Sequence, residues 1–360
     1  MQQTDVVIVG AGPIGIELAA NLKKRGIDYI HVEAGQVGGT IDWYAPDTMF
    51  FSSSERIAIA GIPLNNTSQT KATREEYLTY LRGVVQQLKL EIRTYCFVRS
   101  VTPTKDGNFK VSLSRSLHAV GGPQESSRSR AADEFEEVTA KRVVLAIGDM
   151  HAPRLLNIPG EDLPHVSHYL EDPHKYFAKK VLIVGGKNSA VEAAIRLFRV
   201  GCDVTLSYRG AALDESRVKY WLLPEIKGLV KRNLIHFVPG SSPVEITPES
   251  ALLESGGGPL RVPADFVLLL TGYQQDSSLF ESAGVQLEGE GKKPSYSRRT
   301  METNVQGLYV AGTAAAGTQI GGVKEFIETS HIHVARITAA LCGEAPPKDP
   351  EVPAEYQLET

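Results

Sequence analysis

A glycine turn set between a short apolar strand and a helix constrains this chain more than any other feature, and the arrangement occurs twice. The first unit runs from a strand at 5–10 through the turn GAGPIG and a helix to a second strand that ends at Glu33. The second unit starts with a strand at Lys180 and ends with a strand at Arg209. Units of this kind, about 30 residues long, are typical of dinucleotide-binding domains.

The first turn has the spacing G-x-G-x-x-G, and each glycine has a physical role. Gly10 permits the tight turn, Gly12 lets the backbone approach a pyrophosphate, and Gly15 allows the helix to pack closely on the strand. The amide groups and the positive dipole end of the following helix favour phosphates. Glu33 is placed to accept hydrogen bonds from ribose hydroxyls. The turn therefore predicts a dinucleotide site, the alternative being an ordinary strand–helix–strand unit.

Three further segments favour FAD as this first dinucleotide. Gly38-Gly39-Thr40 follows the acidic strand, AIG at 146–148 resembles the A-T-G strand end of flavoproteins, and LYVAG at 308–312 resembles their second FAD motif. That motif usually continues with Asp, whereas this chain has a threonine, whose hydroxyl bonds a ribityl chain without charge. The FAD-binding residues predicted from these motifs are Gly10, Gly12, Pro13, Ile14, Gly15, Glu33, Gly39, Thr40, Ala146, Gly148, Gly312 and Thr313.

The second turn, GGKNSA at 185–190, follows the pattern G-x-G-x-x-A except that Lys187 replaces the middle glycine. This lysine either meets a phosphate directly or is a solvated loop residue. The next strand ends in Ser207-Tyr208-Arg209 with no carboxylate, and Arg209 suits a 2′-phosphate, although a plain surface charge is the alternative. NADPH is thus favoured over NADH. The predicted binding residues are Gly185, Gly186, Lys187, Asn188, Ser189, Ala190, Tyr208 and Arg209.

The spacing of the two units defines the expected domains. A length of 360 residues indicates two or three domains. We predict two Rossmann-like domains with three layers each (ββα), the second inserted in the first. The FAD-binding domain comprises 1–150 and 277–345, the NADPH-binding domain comprises 153–274, and 346–360 forms a flexible tail.

Composition narrows the functional classes. The net charge of −4 argues against non-specific binding to nucleic acid or to an anionic membrane. No apolar run reaches the length of a membrane span, and the N-terminus enters a strand without a signal-like pattern. The three cysteines, Cys96, Cys202 and Cys342, form no disulfide framework and favour a reducing cytoplasm. No metal-ligand spacing is present, so we predict no metal, and no catalytic side chain is assigned.

The chain resembles the two-dinucleotide-domain flavoproteins typified by thioredoxin reductase over nearly all of 1–343. It resembles the bacillithiol-disulfide reductase family more closely, in the strings TMFFSSSERIAIAGIPL (48–64), GGKNSAVEAAIRL (185–197), VKYWLLPEI (218–226) and GLYVAG (307–312). Both this family and the present chain lack the Cys-x-x-Cys of thioredoxin reductases, so a dithiol relay to thioredoxin is chemically excluded. The resemblance implies a homodimer.

The resemblance also implies further site residues. Phe51 and Ser52 fall where related proteins pass near the isoalloxazine, with core packing as the alternative for the phenylalanine. Gln319 and Ile320 are expected to begin a long helix at 320–342 whose N-terminus points at the flavin. The family is thought to act through a cysteine inside the first glycine turn, but Ile14 occupies that place.

These features together predict an FAD- and NADPH-dependent oxidoreductase that passes hydride to flavin and on to a small acceptor. A low-molecular-weight disulfide is the preferred acceptor. One alternative is a ferredoxin- or quinone-type NADPH reductase, since such enzymes of this architecture also lack the dithiol. Another is a flavin-bearing redox sensor without catalytic turnover, and a flavin monooxygenase is disfavoured because its histidine signature is absent.

Overall fold

The computed structural model describes residues 2–67, 69–115, 134–320 and 325–348. The chain divides into two compact units. The first comprises Met1–Trp43, Asp47–Ala152 and the chain from Tyr273 onward, and the second comprises Tyr44–Pro46 and Pro153–Gly272. Most of the tail predicted at 346–360 lies outside the described residues, so its flexibility stays a prediction, as do the exact domain limits.

The first unit is built on one six-stranded sheet. The glycine turn follows the first strand, which lies in the parallel part of the sheet. This strand pairs on one side with the second strand and on the other side with a long central strand. Two antiparallel strands extend the sheet, and a short late strand pairs parallel to the central one. In sheet order the strands are Tyr29–Val32, Gln2–Val9, Glu134–Leu145, Phe109–Arg115 and Cys96–Pro103, with Leu308–Val310 on Glu134–Leu145.

Helices of the first unit pack around this sheet. Apolar β-branched residues such as Val7 and Ile8 are fully buried in the first strand, and the following helix buries Leu18 and Leu22 against it. Thr73 starts a later helix with a capping box, in which its side chain and that of Glu76 each bond the other residue's backbone amide. The helices are Pro13–Lys24, Gly39–Asp42, Ser54–Ile57, Arg74–Gln87, Ser278–Ser282 and Ile327–Leu341, with a 3₁₀ turn at Gly312–Ala316.

The second unit repeats the plan with a parallel sheet of five strands, a separate antiparallel sheet of three strands, and helices. The parallel order is His236–Pro239, Asp203–Tyr208, Lys180–Val184, Phe266–Leu269 and Val166–Ser167, and the antiparallel order is Ser241–Thr247, Ser250–Ser255 and Gly258–Pro263. Its α-helices are Asn188–Arg199 and Leu223–Lys231, and 3₁₀ turns occur at Pro173–Tyr176 and Glu215–Arg217. The predicted α/β class with ββα layering is confirmed.

Four two-residue strands complete the described elements. Leu287–Glu288 and Lys293–Pro294 pair antiparallel in the first unit. The others, Ala152–Pro153 and Tyr273–Gln274, lie where the chain passes from one unit to the other.

The prediction that the last long helix begins at Gln319 and Ile320 is wrong. The helix spans Ile327–Leu341, and neither residue is helical. The Gln319 side chain instead bonds the backbone of Glu325, whose N–H donates to Oε1 at 3.0 Å. Because the helix begins at Ile327, any effect of the helix dipole originates near Phe326 and Ile327.

Candidate functional site: two glycine turns

The first glycine turn is shaped by two close backbone approaches. A Cβ atom on Gly10, whose φ is +103°, would lie 2.4 Å from the Ala146 carbonyl oxygen, and a Cβ on Gly15 would lie 2.0 Å from the Gly10 carbonyl oxygen. Gly12 is different, because no atom lies within 4 Å of the place its Cβ would take. The turn is therefore tight where helix meets strand and open at its middle glycine, as a pyrophosphate requires.

A buried histidine forms a hydrogen bond with the backbone of this turn. The Nε2 atom of His31 lies 2.9 Å from the Gly10 carbonyl oxygen, and the side chain is 1% exposed. Burial lowers the pKa of His31 to about 4, so the ring is neutral near pH 7. Because the carbonyl only accepts, the proton of the neutral ring lies on Nε2 and is donated to Gly10. Sequence reasoning missed this residue, which no motif marks.

Glu33 lies at the turn as predicted. Its Oε2 accepts a hydrogen bond from the Ala11 amide at 2.6 Å, and its Oε1 accepts one from the Gly35 amide at 2.8 Å. The Gly38 amide in turn donates to the Ala11 carbonyl at 3.0 Å, which draws the Gly38–Gly39–Thr40 segment onto the same turn. Both carboxylate oxygens of Glu33 therefore accept hydrogen bonds from the backbone around the turn.

The two late motifs converge on the same region. A Cβ on Gly312 would lie 3.5 Å from Ile14 Cβ, and a Cβ on Gly148 would lie 3.9 Å from Thr313 Oγ1. Four predicted residues from distant parts of the chain are thus neighbours. Ile320 is 41% exposed, and its Cδ1 would lie 3.9 Å from a Cβ on Gly291.

Gln275 bridges these motifs and was not foreseen. Its Nε2 donates to the Gly148 carbonyl at 2.8 Å and to the Ala314 carbonyl at 3.2 Å. Its Oε1 is buried and has no hydrogen-bond partner within the described part of the chain. A buried acceptor without a donor is costly, and a hydroxyl of a bound nucleotide would satisfy it. The open space at Gly12 and this orphaned oxygen both fit FAD.

Charged and polar side chains of the first unit form a second group around Ser52. The Ser52 hydroxyl donates to the Glu328 carboxylate at 2.5 Å, and Arg56 Nη2 lies 3.7 Å from the same oxygen. His331 Nδ1 is 2.7 Å from Glu17 Oε2, and His331 Nε2 is 2.9 Å from the Arg56 carbonyl oxygen. Both partners of His331 are acceptors, so only the protonated ring satisfies them.

The charge on His331 predicts a pH-dependent stability. Burial by itself lowers the pKa of His331, but the hydrogen bond and charge of Glu17 outweigh it and raise the pKa above the usual 6.5. A raised folded-state pKa stabilises the fold below the unfolded-state value, and this stabilisation is lost as the pH rises through the folded-state value. We expect the wild-type protein to melt about 2–4 °C above His331→Gln at pH 6, with the difference shrinking towards pH 9.

Thermal melts of both proteins across this range check the expectation. His174→Gln is the matched control, because His174 is an exposed histidine of the second unit. A melting difference between wild type and His331→Gln that is constant from pH 6 to pH 9 contradicts the assignment.

The second glycine turn is covered by an aromatic ring. A Cβ on Gly185 would lie 2.6 Å from the Leu270 carbonyl oxygen, so this glycine has the role of Gly10. A Cβ on Gly186 would lie 2.3 Å from Tyr208, and one on Gly210 would lie 2.5 Å from the same ring. Tyr208 thus packs between two glycines at the turn. Asn188 Oδ1 accepts from the Lys219 amide at 2.8 Å and helps to fix the start of the helix, which Ser189 and Ala190 continue.

Positive charge collects at this turn. The pKa of Lys187 is lowered by burial and then by the neighbouring charges of Arg217, Arg154 and Arg209, and Asp214 opposes this shift only in part. Three arginines therefore lie near enough to act on Lys187, and one of them, Arg209, directly follows the strand Asp203–Tyr208. Such a cluster suits a phosphate-rich ligand. Sequence reasoning identified Lys187 and Arg209, but missed the other two because they lie outside the motifs.

The Cys96 backbone N–H donates to the Glu33 carbonyl at 2.8 Å, but among the described contacts no cysteine thiol bonds the first glycine turn. Cys96 is 1% exposed at the start of its strand, and burial raises its pKa. Cys202 is also buried in the second unit, with its Sγ 3.0 Å from the Tyr176 carbonyl oxygen. Cys342 is exposed near Arg25. Buried thiols with a raised pKa are poor nucleophiles.

The geometry of two nucleotide turns agrees with comparison to known proteins. The family of pyridine nucleotide-disulphide oxidoreductases matches residues 7–119 and 130–312 of this sequence. The chain belongs to this family. This pyridine nucleotide-disulphide oxidoreductase is an FAD-dependent NADPH oxidoreductase.

Similar proteins cover nearly the whole chain. Bacilliredoxin reductase Bdr from Bacillus subtilis is 35% identical over 342 residues, which are 95% of this chain and 98% of that protein. The solved bacillithiol disulfide reductase Bdr (YpdA) from Bacillus cereus shares 32% identity, with a TM-score of 0.86 over 95% of this chain and 99% of that one. A ferredoxin–NADP reductase from Ignicoccus hospitalis is 28% identical over 86% of this chain and 89% of its own length.

More distant structures share the fold. The thioredoxin reductase of T. acidophilum has a TM-score of 0.70 at 20% identity over 95% of this chain and 99% of its own. The predicted resemblance to thioredoxin-reductase-like flavoproteins and to bacillithiol-disulfide reductases is confirmed. Over the described ranges, no helix has the length and apolar character to cross a membrane.

Proposed function

We propose that this oxidoreductase uses NADPH to reduce a low-molecular-weight disulfide. The supporting observation is the 35% identity to bacilliredoxin reductase over 95% of the chain. In the net reaction NADPH gives a hydride with its two electrons, the S–S bond breaks, and one proton comes from solvent. The products are NADP⁺ and two thiols. Bound FAD supplies the two-electron chemistry between coenzyme and acceptor.

The residues of the chain have binding and positioning roles in this scheme. The open backbone at Gly12 and the amides of the following helix hold the FAD phosphates, and Glu33 holds the adenosine ribose. Lys187 and Arg209 hold the phosphates of NADPH, with Tyr208 beside them. Phe51 and Ser52 border the isoalloxazine.

The reaction proceeds without a protein thiol in the first glycine turn. Position 14, where the related family is expected to have a cysteine, holds a buried isoleucine packed near Gly312. An alkyl side chain forms no mixed disulfide. Cys96 is buried in the core of the sheet, where its thiol is a poor nucleophile. The acceptor therefore takes its electrons without covalent attachment at this position.

Replacing Ile14 by cysteine tests this proposal. With bacillithiol disulfide as the acceptor, we expect the wild-type protein to release two thiols per NADPH and to form no adduct. Ile14→Cys should form a protein–bacillithiol mixed disulfide, which mass spectrometry detects, because the turn then presents a thiol. Ile14→Val is the matched control and should form none. Disulfide turnover that appears only in Ile14→Cys contradicts the proposal.

A ferredoxin- or quinone-type reductase is the second candidate, favoured by the missing thiol and by the similarity to a ferredoxin–NADP reductase. Steady-state assays with NADPH and with ferredoxin, quinones or bacillithiol disulfide as the acceptor separate the two, because each class of enzyme turns over its own acceptor. If the protein binds its cofactors tightly but turns over none of the acceptors tested, the redox sensor is favoured. The homodimer and the cytoplasmic location remain predictions.

A further inference from the structure

The Ser52 hydroxyl is fixed as a donor to one partner. A serine hydroxyl has one proton and two acceptor lone pairs. The single proton of Ser52 is given to Glu328 at 2.5 Å. What remains on the Ser52 oxygen is acceptor capacity only. The residue as a whole is 6% exposed.

Glu328 is itself held firmly in a buried position. It is the second residue of the helix Ile327–Leu341, where the dipole favours a negative charge. Its side chain is 7% exposed and lies 3.7 Å from the guanidinium of Arg56, which is 9% exposed. A paired carboxylate of this kind is a strong acceptor that keeps its orientation.

The contacts around Ser52 continue towards the first glycine turn through the backbone carbonyl of Arg56. The Arg56 carbonyl accepts a hydrogen bond from His331, and His331 pairs with Glu17. Glu17 stands two residues beyond Gly15 on the helix that starts at the turn. Contacts thus connect Ser52 to the helix expected to hold the FAD phosphates.

We propose that Glu328 is a positioning residue that makes Ser52 an obligate hydrogen-bond acceptor toward the bound flavin, and that this favours the reduced flavin. The proposal rests on the predicted placement of Ser52 at the isoalloxazine. Reduction adds an N–H group to the ring system, and an acceptor stabilises the state that carries the additional donor. A carboxylate acting only by its charge does the opposite, because it disfavours the anionic reduced flavin. The two roles therefore predict effects of opposite sign.

The FAD-loaded protein is titrated anaerobically with mixtures of NADPH and NADP⁺. The titration measures the ratio of NADPH to NADP⁺ at which half of the flavin is reduced and therefore bleached. We expect Ser52→Ala to raise this ratio about tenfold, the worth of one lost hydrogen bond. Ser52→Thr keeps the hydroxyl and should stay close to wild type. Ser54→Ala is the control from the same segment and should leave the ratio unchanged.

Changes at Glu328 test the positioning role. Glu328→Gln should raise the ratio when Ser52 is present and fail to raise it in the Ser52→Ala background, because the two residues act as a unit. Glu328→Asp keeps the charge that pairs with Arg56 but shortens the reach to Ser52, and it should raise the ratio too. This second variant decides the question if Glu328→Gln fails to fold.

Two results would overturn the proposal. One is an unchanged ratio in Ser52→Ala. The other is a ratio that falls equally in Glu328→Gln with and without Ser52, which assigns Glu328 a purely electrostatic effect. Either result leaves disulfide turnover by the wild-type protein intact, whereas failure of the proposed function would appear as wild-type protein that is bleached by NADPH but turns over no disulfide.

Discussion

Gly15→Ala is expected to lose FAD binding and to destabilise the protein even without FAD. The new Cβ would lie 2.0 Å from the Gly10 carbonyl oxygen and 3.4 Å from His31 Nε2. Both neighbours are fixed, one as backbone and the other as a buried ring hydrogen-bonded to that carbonyl. The helix must therefore move away from the strand, at a cost of about 3 kcal/mol in the free energy of unfolding.

Gly12→Ala is the matched control within the same turn. Its Cβ meets no atom within 4 Å, and Gly12 has an ordinary φ of −73°. We expect the apoprotein of this variant to melt like wild type, whereas its dissociation constant for FAD rises about 100-fold because the methyl group occupies the approach of the pyrophosphate. Thermal melts of the apoproteins and titration of flavin fluorescence make both measurements. A Gly15→Ala apoprotein as stable as wild type would contradict the packing argument.

Removal of the Arg209 charge is expected to reverse the coenzyme preference. Arg209 lies at the end of its strand in a cluster with Lys187, Arg154 and Arg217, and a 2′-phosphate is the group that only NADPH brings to such a site. We expect Arg209→Gln to raise the KM for NADPH about 30- to 100-fold, the loss of a charge-assisted contact, with little change for NADH.

Steady-state kinetics with both coenzymes test this expectation. Arg199→Gln is the control, since Arg199 is an exposed residue of the same unit that pairs with Glu225 at 2.7 Å. It should change neither KM by more than about twofold. An equal loss for NADPH and NADH in Arg209→Gln would show that the residue acts on the shared part of the coenzyme or on the fold.

Local sequence determined the features that the motifs predict well. The close approach of Gly15 to Gly10 lies within six residues, and Glu33 follows at the end of the adjacent parallel strand. These positions are set by the geometry of a strand–turn–helix unit and need no knowledge of the remaining chain. The same holds for the second turn, where Gly185 repeats the role of Gly10.

Features created by tertiary contact were not predictable in this way. Gln275 joins Gly148 to Ala314 across more than a hundred residues of sequence, and its neighbours in the chain form no motif. No motif marks His331, and its partners on two other helices become visible only in the fold. The start of the last helix was misplaced because hydrophobic spacing marks the face of a helix better than its end.

The carboxylate of Glu33 is oriented before any nucleotide arrives. The backbone amides of Ala11 and Gly35 each donate a hydrogen bond to one of its oxygens. The Gly38 amide donates to the Ala11 carbonyl and so holds the adjoining segment at the turn. Little side-chain entropy is then left to lose when adenosine docks, so more of the contact energy appears as affinity. We therefore expect the cofactor to dissociate slowly from this site.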